Sequence, residues 1–174
     1  PVPHKNFDIL PDVLIELKKK GINNVRFHTT IPFDDPLNKK IEKQLMELNM
    51  MDNWKNHGRI SQKELGVMYQ HCQLCFLPTL LEVFSASTVE AMFFQLPVVA
   101  TNFPFNTEVL ADSCLYYEPK NAKDAARQIA KLISNNELQE KLKGKMQDQL
   151  VNYGNYDKHF NAIKEYLVEV ANMK

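Results

Sequence analysis

Glu82-Val83-Phe84-Ser85-Ala86-Ser87-Thr88-Val89-Glu90 lies between two short apolar runs, Leu74-Cys75-Phe76-Leu77-Pro78 and Leu96-Pro97-Val98-Val99-Ala100-Thr101. Both runs have the length and apolar content of buried strands, and Ser87 to Gln95 reads as a helix. Strand, loop, helix and strand in that order make one βαβ unit. In a sheet built from such units, ligands sit outside the carboxyl ends of the strands. Glu82 leaves the first run at that end, and Glu90 follows inside the helix.

The same alternation extends in both directions. Asn6 is positioned to cap a helix over Phe7 to Lys20, with Pro11 moving its start toward the second turn. Val25 to Thr29 reads as a strand, and Leu37, Ile41, Leu45 and Leu48 form a helical stripe. Trp54 to His57 is a further strand ending at Gly58, with Ser61 capping a helix over Gln62 to His71. Beyond the central unit come a short helix from Pro104 to Leu110 and a strand from Cys114 to Tyr117. Helices then cover Ala122–Ser134, Glu137–Tyr153 and about Tyr156–Ala171. The expected fold is α/β: a Rossmann-like, mostly parallel sheet with helices on both faces and a C-terminal helical tail. No repeat, linker or low-complexity stretch divides the chain, so residues 1–174 read as one domain.

Composition sets limits on partners. The 174 residues are 44% apolar and 24% charged, as in an ordinary globular domain. Lys+Arg and Asp+Glu both number 21, and Arg26, Arg59 and Arg127 are the only arginines. That balance provides no field for nucleic acid and few groups to read bases. No run approaches the ~20 apolar residues a membrane helix needs. The opening residues lack the apolar core of a signal peptide. The absence of an initiating Met and an opening in mid-motif lead us to expect a piece of a larger protein.

Cys72, Cys75 and Cys114 make an odd count, which argues against a disulfide framework and fits a reducing cytosol. Cys72-Gln73-Leu74-Cys75 has the spacing of a metal or redox pair, but no second ligand pair follows and the pair runs into an apolar strand. Packing as small apolar side chains is the simpler reading. His28, His57, His71 and His159 show no metal-binding spacing, and no acidic pair is assembled for a divalent ion. Metal-independent chemistry is expected.

Taken in order, several motifs resemble those of one large family. They are Gly58-Arg59-Ile60-Ser61, Glu64-Leu65 with Tyr69, Pro78-Thr79, Glu82-Val83-Phe84-Ser85, Glu90-Ala91-Met92, Pro97-Val98-Val99-Ala100, Glu108-Val109 and Tyr117-Glu118-Pro119. Together with Lys5-Asn6 before the first helix, they are similar to the C-terminal lobe of glycogen-synthase-like and bacterial polysaccharide glycosyltransferases, the group 1 family with the GT-B fold. Three departures stand out. Val83 replaces a usual glycine, Ser87 stands where proline is frequent, and the strand at Val25 lacks its terminal glycine. The lobe's first strand and its glycine-rich turn should precede Pro1. The acceptor lobe, ~150 residues on ordinary domain sizes, is also missing.

The resemblance implies transfer of a sugar from a nucleotide-diphosphate sugar to a hydroxyl acceptor with retention of configuration, in polysaccharide or glycoconjugate synthesis. On this reading Glu82 and Lys5 are the catalytic pair. Glu82 accepts hydrogen bonds from the donor sugar and supports positive charge in the transition state, and Lys5 meets the diphosphate. Phe84, Ser85, Ala86, Ser87 and Thr88 surround the diphosphate at a helix start, where unpaired amides and the helix dipole favour an anion. Arg59 and Ile60 border the nucleobase. Glu90 binds the ribose diol or, as a structural alternative, closes a capping box over Ser87-Thr88-Val89-Glu90. The donor is a UDP- or GDP-sugar with no other cofactor. The acceptor, a glycan or lipid-linked sugar, binds through the missing lobe. The location expected is cytoplasmic, extending to the inner membrane face for the full-length protein, with no transmembrane segment. Two other readings remain open: an interaction module that no longer uses a donor, and a lobe of a sugar-nucleotide epimerase.

Overall fold

The structure, a computed structural model, describes residues 3–153 and, beyond them, 160, 161, 164–166, 168 and 169. The tail helix expected over Tyr156–Ala171 lies largely outside the described residues. The strands are β1 (Phe27–Thr29), β2 (Trp54–Asn56), β3 (Cys75–Leu77), β4 (Val98–Thr101) and β5 (Leu115–Tyr117). The helices are α1 (Leu10–Lys19), α2 (Pro36–Glu47), α3 (Gln62–His71), α4 (Ala86–Phe93), α5 (Pro104–Leu110), α6 (Ala122–Ile133) and α7 (Asn136–Tyr153). Strand and helix alternate as the sequence predicts.

Every strand pair is parallel, with Phe27 opposite Trp54, Cys75 opposite Val98 and Val99 opposite Leu115. In place of one continuous sheet, the strands form two, ordered β1-β2 and β3-β4-β5. The two sheets lie side by side: Phe27 of β1 stacks on Phe76 of β3 at 5.7 Å between ring centroids. One buried cluster draws Phe27 and Trp54 from the first sheet and Val99 and Tyr117 from the second, under α1 and α6. On the other face Leu77, Val98 and Ala100 pack with Ala91 and Met92 of α4, Leu110 of α5 and Met146 of α7. The structure is therefore α/β and Rossmann-like, with helices on both faces.

Local chemistry explains most boundaries. Pro11 occupies the second position of α1, where a missing N–H costs nothing, so the chain forms a 3-10 turn over Phe7–Ile9 before the helix proper. The cap expected at Asn6 is absent. Asn6 sits in the left-handed region at φ 54° and makes no side-chain cap. Lys18 and Lys19 occupy the last turn of α1, and Gly21 follows at φ 78°. Asp35 accepts from the Leu37 amide at 2.8 Å to start α2. A complete capping box of Ser61 and Glu64 starts α3, and Asn121 accepts from the Asp124 amide at 3.0 Å to start α6.

The tightest helix pair is α1 on α6. Val13, Leu14 and Leu17 are fully or almost fully buried on α1, as are Ala125, Ala126, Ile129 and Leu132 on α6. The small alanines let the two helices approach closely. Truncating Leu17 to Ala leaves a void that such a layer cannot refill, and is expected to cost ~2–5 kcal/mol. Urea unfolding of the variant measures it.

On β1, Phe27 and Thr29 point inward and His28 points outward. There His28 Nδ1 lies 3.0 Å from His57 Nε2, with the rings stacked at 5.2 Å. Sharing that hydrogen bond requires one neutral ring. Partial burial lowers the pKa of both histidines, helped at His28 by the charges of His57, Arg26 and Lys55 and at His57 by Lys55. The folded state thus binds protons less readily than the unfolded chain, whose imidazoles titrate near 6.5. This contribution to stability is complete above that pH and lost as the pH falls through the lowered folded values. The urea midpoint is expected to drop between pH 7 and 5, and His28→Gln to flatten the drop.

Candidate functional site

The carboxyl end of β3 carries a cluster of side-chain hydrogen bonds. Past Leu77 the carbonyls of Pro78 and Thr79 lie beyond the β3–β4 ladder, and both residues are buried. Asn6 Nδ2 donates to Pro78 O at 3.1 Å, and Thr101 Oγ1 donates to Thr79 O at 2.6 Å. Asn106 Nδ2 donates in turn to Thr101 O at 3.0 Å and to Thr101 Oγ1 at 2.9 Å. The Leu80 amide donates to His4 O at 2.7 Å, which ties the turn Pro3–Lys5 across the strand end. Sequence reasoning missed Thr101 and Asn106, because side chains that meet only through the sheet leave no periodic signal.

That tie brings together the predicted pair from opposite ends of the segment. Lys5 Nζ forms an ion pair with Glu82 Oε2, although the residues are 77 positions apart. Both side chains are partly buried, so the pair is less screened than one at the open surface. Glu82 itself accepts no other hydrogen bond among the described residues. Next to it Val83 is 99% exposed and Phe84 is half exposed. The departure at Val83 therefore projects a methyl-bearing side chain into solvent rather than into the fold.

Helix α4 begins just after this loop. Its N-cap is Ser85, in an extended conformation with no side-chain cap bond. The capping box that was the structural alternative over Ser87 to Glu90 does not form: the helix starts at Ala86, so Ser87 already lies within it and cannot act as the cap. Glu90 turns toward α3 instead, where the Tyr69 hydroxyl donates to Glu90 Oε2 at 3.0 Å. Burial also corrects the view of the hydroxyls. Ser85 and Thr88 are buried, and Thr88 Oγ1 has no hydrogen-bond partner among the described residues. Ala86 is exposed and Ser87 half-buried, so these two and Phe84 remain at the surface of the helix start.

The loop after β2 is held by Asn56. Its Oδ1 accepts from Thr29 Oγ1 at 3.1 Å, from the Ile31 amide at 3.0 Å and from the Gly58 amide at 3.3 Å. Gly58 adopts φ +66°, and a Cβ there would lie 2.4 Å from the Phe33 ring. Arg59 is exposed and Ile60 half-buried on this loop. No hydrogen bond or ion pair joins Arg59 to Lys5, Glu82 or Glu90 among the described residues. The carboxyl ends of β2 and β3 thus provide two separate groups of predicted residues.

The cysteines are Cys72, Cys75 and Cys114, and none is joined in a disulfide. Burial pushes the Cys75 and Cys114 thiols up to about 12 and raises Cys72 as well, which keeps them protonated and unreactive. Among the described residues no group of three or more His, Cys, Asp or Glu side chains is placed to hold a metal ion.

Comparison with known proteins matches residues 2–149 to the family described as glycosyl transferases group 1. An uncharacterized glycosyltransferase of Methanocaldococcus jannaschii is 31% identical over 143 residues, covering 81% of this chain and 38% of that protein. A crystal structure of a mutant of TarM from S. aureus, in complex with fondaparinux, alpha-GlcNAc-glycerol and UDP, is 26% identical. It superposes with a TM-score of 0.75 over 87% of this chain and 30% of its own. The C-terminal domain of a group 1 glycosyl transferase (LpcC) from Francisella tularensis is 20% identical and shares the fold. Its TM-score is 0.76, over 90% of this chain and 83% of that one. The chain spans well under half the length of the M. jannaschii and TarM proteins.

Proposed function

This chain belongs to the glycosyl transferases group 1 family, and on that premise we propose that it is the C-terminal, donor-binding lobe of a two-lobe retaining glycosyltransferase. The observation that carries this reading is the Lys5–Glu82 pair at the carboxyl end of β3, beside the start of α4. A cation, a carboxylate and a helix N-terminus at one strand end suit a diphosphate joined to a polyol. Likeness in fold to a domain described as C-terminal, over most of both chains, supports the placement of the lobe. UDP in the TarM crystal supports a nucleoside diphosphate donor for this chain.

In the proposed reaction the bond from the sugar's anomeric carbon to the diphosphate oxygen breaks. The diphosphate leaves with the electron pair, and the acceptor hydroxyl bonds to that carbon from the same face and passes its proton to the leaving diphosphate oxygen. Lys5 stabilises the charge building on the leaving diphosphate, together with the amides at the start of α4 around Phe84 to Thr88. Glu82 accepts hydrogen bonds from the sugar hydroxyls and supports positive charge on the sugar. Glu90 accepts from the ribose diol, and the loop bearing Arg59 and Ile60 borders the base. The Lys5–Glu82 contact sets both groups in place before the donor arrives: the remaining N–H groups of Lys5 serve the phosphates, and the unengaged oxygen of Glu82 serves the sugar.

The acceptor glycan or lipid-linked sugar binds a second lobe, with the whole acting in polysaccharide or glycoconjugate synthesis in the cytoplasm or at the inner membrane face. No helix of the described residues is long and apolar enough to cross a membrane. The lobe's first strand runs between β1 and β3. Each of these pairs with a strand on one side only, and Phe27 and Phe76 meet beside the open edges. The turn Pro3–Lys5 lies across the carboxyl end of β3, where a parallel strand in that gap would emerge.

Calorimetric titration with UDP, GDP and ADP, with and without magnesium, tests the donor reading. Saturable binding of one nucleotide, unchanged by metal, is expected. Lys5→Ala or Glu90→Ala should weaken it by ~10- to 150-fold, the loss of one charge-assisted hydrogen bond. A full-length protein that binds none of the three at millimolar concentration is an interaction module instead. The gap gives a separate expectation. A chain extended before Pro1 by the strand should unfold at higher urea than residues 1–174, and an unchanged midpoint rejects the inserted strand.

A further inference from the structure

Tyr69 is the least expected partner in the site. Its ring stacks on Phe94 at 5.2 Å and 17°, and its side chain is buried between α3 and α4. Its hydroxyl donates to Glu90 Oε2 at 3.0 Å, across 21 residues of sequence. Glu90 Oε1 accepts no hydrogen bond among the described residues. Aromatic packing thus fixes the donor, and the donor fixes one oxygen of a carboxylate that is otherwise free to rotate.

Resting on the donor-lobe reading above, we infer that Tyr69 is a positioning residue for nucleotide binding: it holds Glu90 Oε2 so that Oε1 faces the ribose diol. A glutamate on a helix has three side-chain torsions, and ordering them on binding costs entropy. The phenol meets that cost before the ligand arrives, which is the general route by which preorganisation raises affinity. A tyrosine suits the task better than a lysine, since it orients the carboxylate without neutralising it. Burial, with smaller contributions from Cys75 and Glu90, raises the Tyr69 pKa far above its usual value, so the group stays a donor at every working pH. Tyr69 touches no reacting atom. Its hydroxyl also meets the Ser87 side chain, which opposes the rise in its pKa, and Glu90 is the carboxylate it orients.

The experiment compares ribose with its absence. The full-length protein and its Tyr69→Phe and Glu90→Gln variants are titrated with UDP and with 2′,3′-dideoxy-UDP, or with the GDP pair if guanosine is the preferred base. Tyr69→Phe keeps the stacking on Phe94 and loses only the hydroxyl. It is expected to weaken the ribonucleotide by about 3- to 10-fold, the cost of ordering one side chain on binding, and to leave the dideoxy nucleotide unchanged. Equal weakening of both nucleotides means that Tyr69 does not act through the ribose contact and overturns the inference. So does wild-type affinity for both in Tyr69→Phe while Glu90→Gln still discriminates, which leaves the donor-lobe reading standing. If wild type does not distinguish the two nucleotides and Glu90→Gln is silent, Glu90 does not bind ribose and the inference falls with that assignment. Should Tyr69→Phe unfold, Phe94→Leu, which loosens the ring but keeps the hydroxyl, must show the same ribose-dependent loss; an equal loss for both nucleotides overturns the inference.

Discussion

Everything at the functional end of this domain depends on where the backbone carbonyls of Pro78 and Thr79 find donors. A short parallel strand runs out of ladder after Leu77, yet the chain stays buried for two more residues. Buried carbonyls without partners cost a few kcal/mol each, so the surrounding side chains must supply them. Asn6 answers one and Thr101 the other, with Asn106 holding Thr101 in place. To reach Pro78, Asn6 takes a left-handed backbone and gives up capping α1. The turn Pro3–Lys5 is pinned over the strand end as a result, and Lys5 arrives at Glu82. The ion pair is therefore a consequence of satisfying the strand end. Its own energy, for a partly exposed pair, is modest.

The core arrangement serves the same end. One helical layer, α1 and α6, lies over strands from both sheets, while α4, α5 and α7 cover the other face of β3-β4-β5. Helix α4 can then run antiparallel to the strands it connects, with its N-terminus beside the carboxyl end of β3. Leu96 to Thr101, almost wholly buried, returns the chain through the middle of that sheet. A cation, a carboxylate and a helix start thus meet without any glycine-rich loop. The chain holds only five glycines, and Gly58 is the one near the site whose φ a side chain would resist.

Element order and type were legible because buried parallel strands read as short apolar runs and amphipathic helices carry a periodic stripe. Caps were legible only in part, and two similar patterns show why. Ser61-x-x-Glu64 and Ser87-x-x-Glu90 both spell a capping box. The first forms because its serine is the last extended residue before α3. The second fails because α4 begins two residues earlier, at a serine whose side chain is buried rather than turned to the helix amides. The spacing was correct; the register of the helix start is set by the loop from Leu80 and by burial of Ser85 and Thr88, neither of which a local pattern encodes. Tyr69 was visible as a motif residue, but its contact with Glu90 exists only once α3 and α4 lie side by side. The split into two sheets was equally hidden, since strand order is a property of the whole fold.

The two glutamates with which the sequence began end with partners of different kinds, and the difference bears on what each can do. Glu82 faces an ammonium through Oε2, so in the free protein its charge is partly compensated, while its other oxygen accepts no hydrogen bond among the described residues. Glu90 faces a neutral phenol that orients it and leaves its charge intact. A carboxylate of the second kind suits a site occupied early and bound by geometry, as the proposed ribose contact requires. One of the first kind suits a site where cation and carboxylate are held together for a ligand that carries both an anion and a polyol. In the proposed donor lobe the ribose half of the nucleotide therefore meets a carboxylate oriented in advance, while the phosphates approach an ammonium already paired with Glu82.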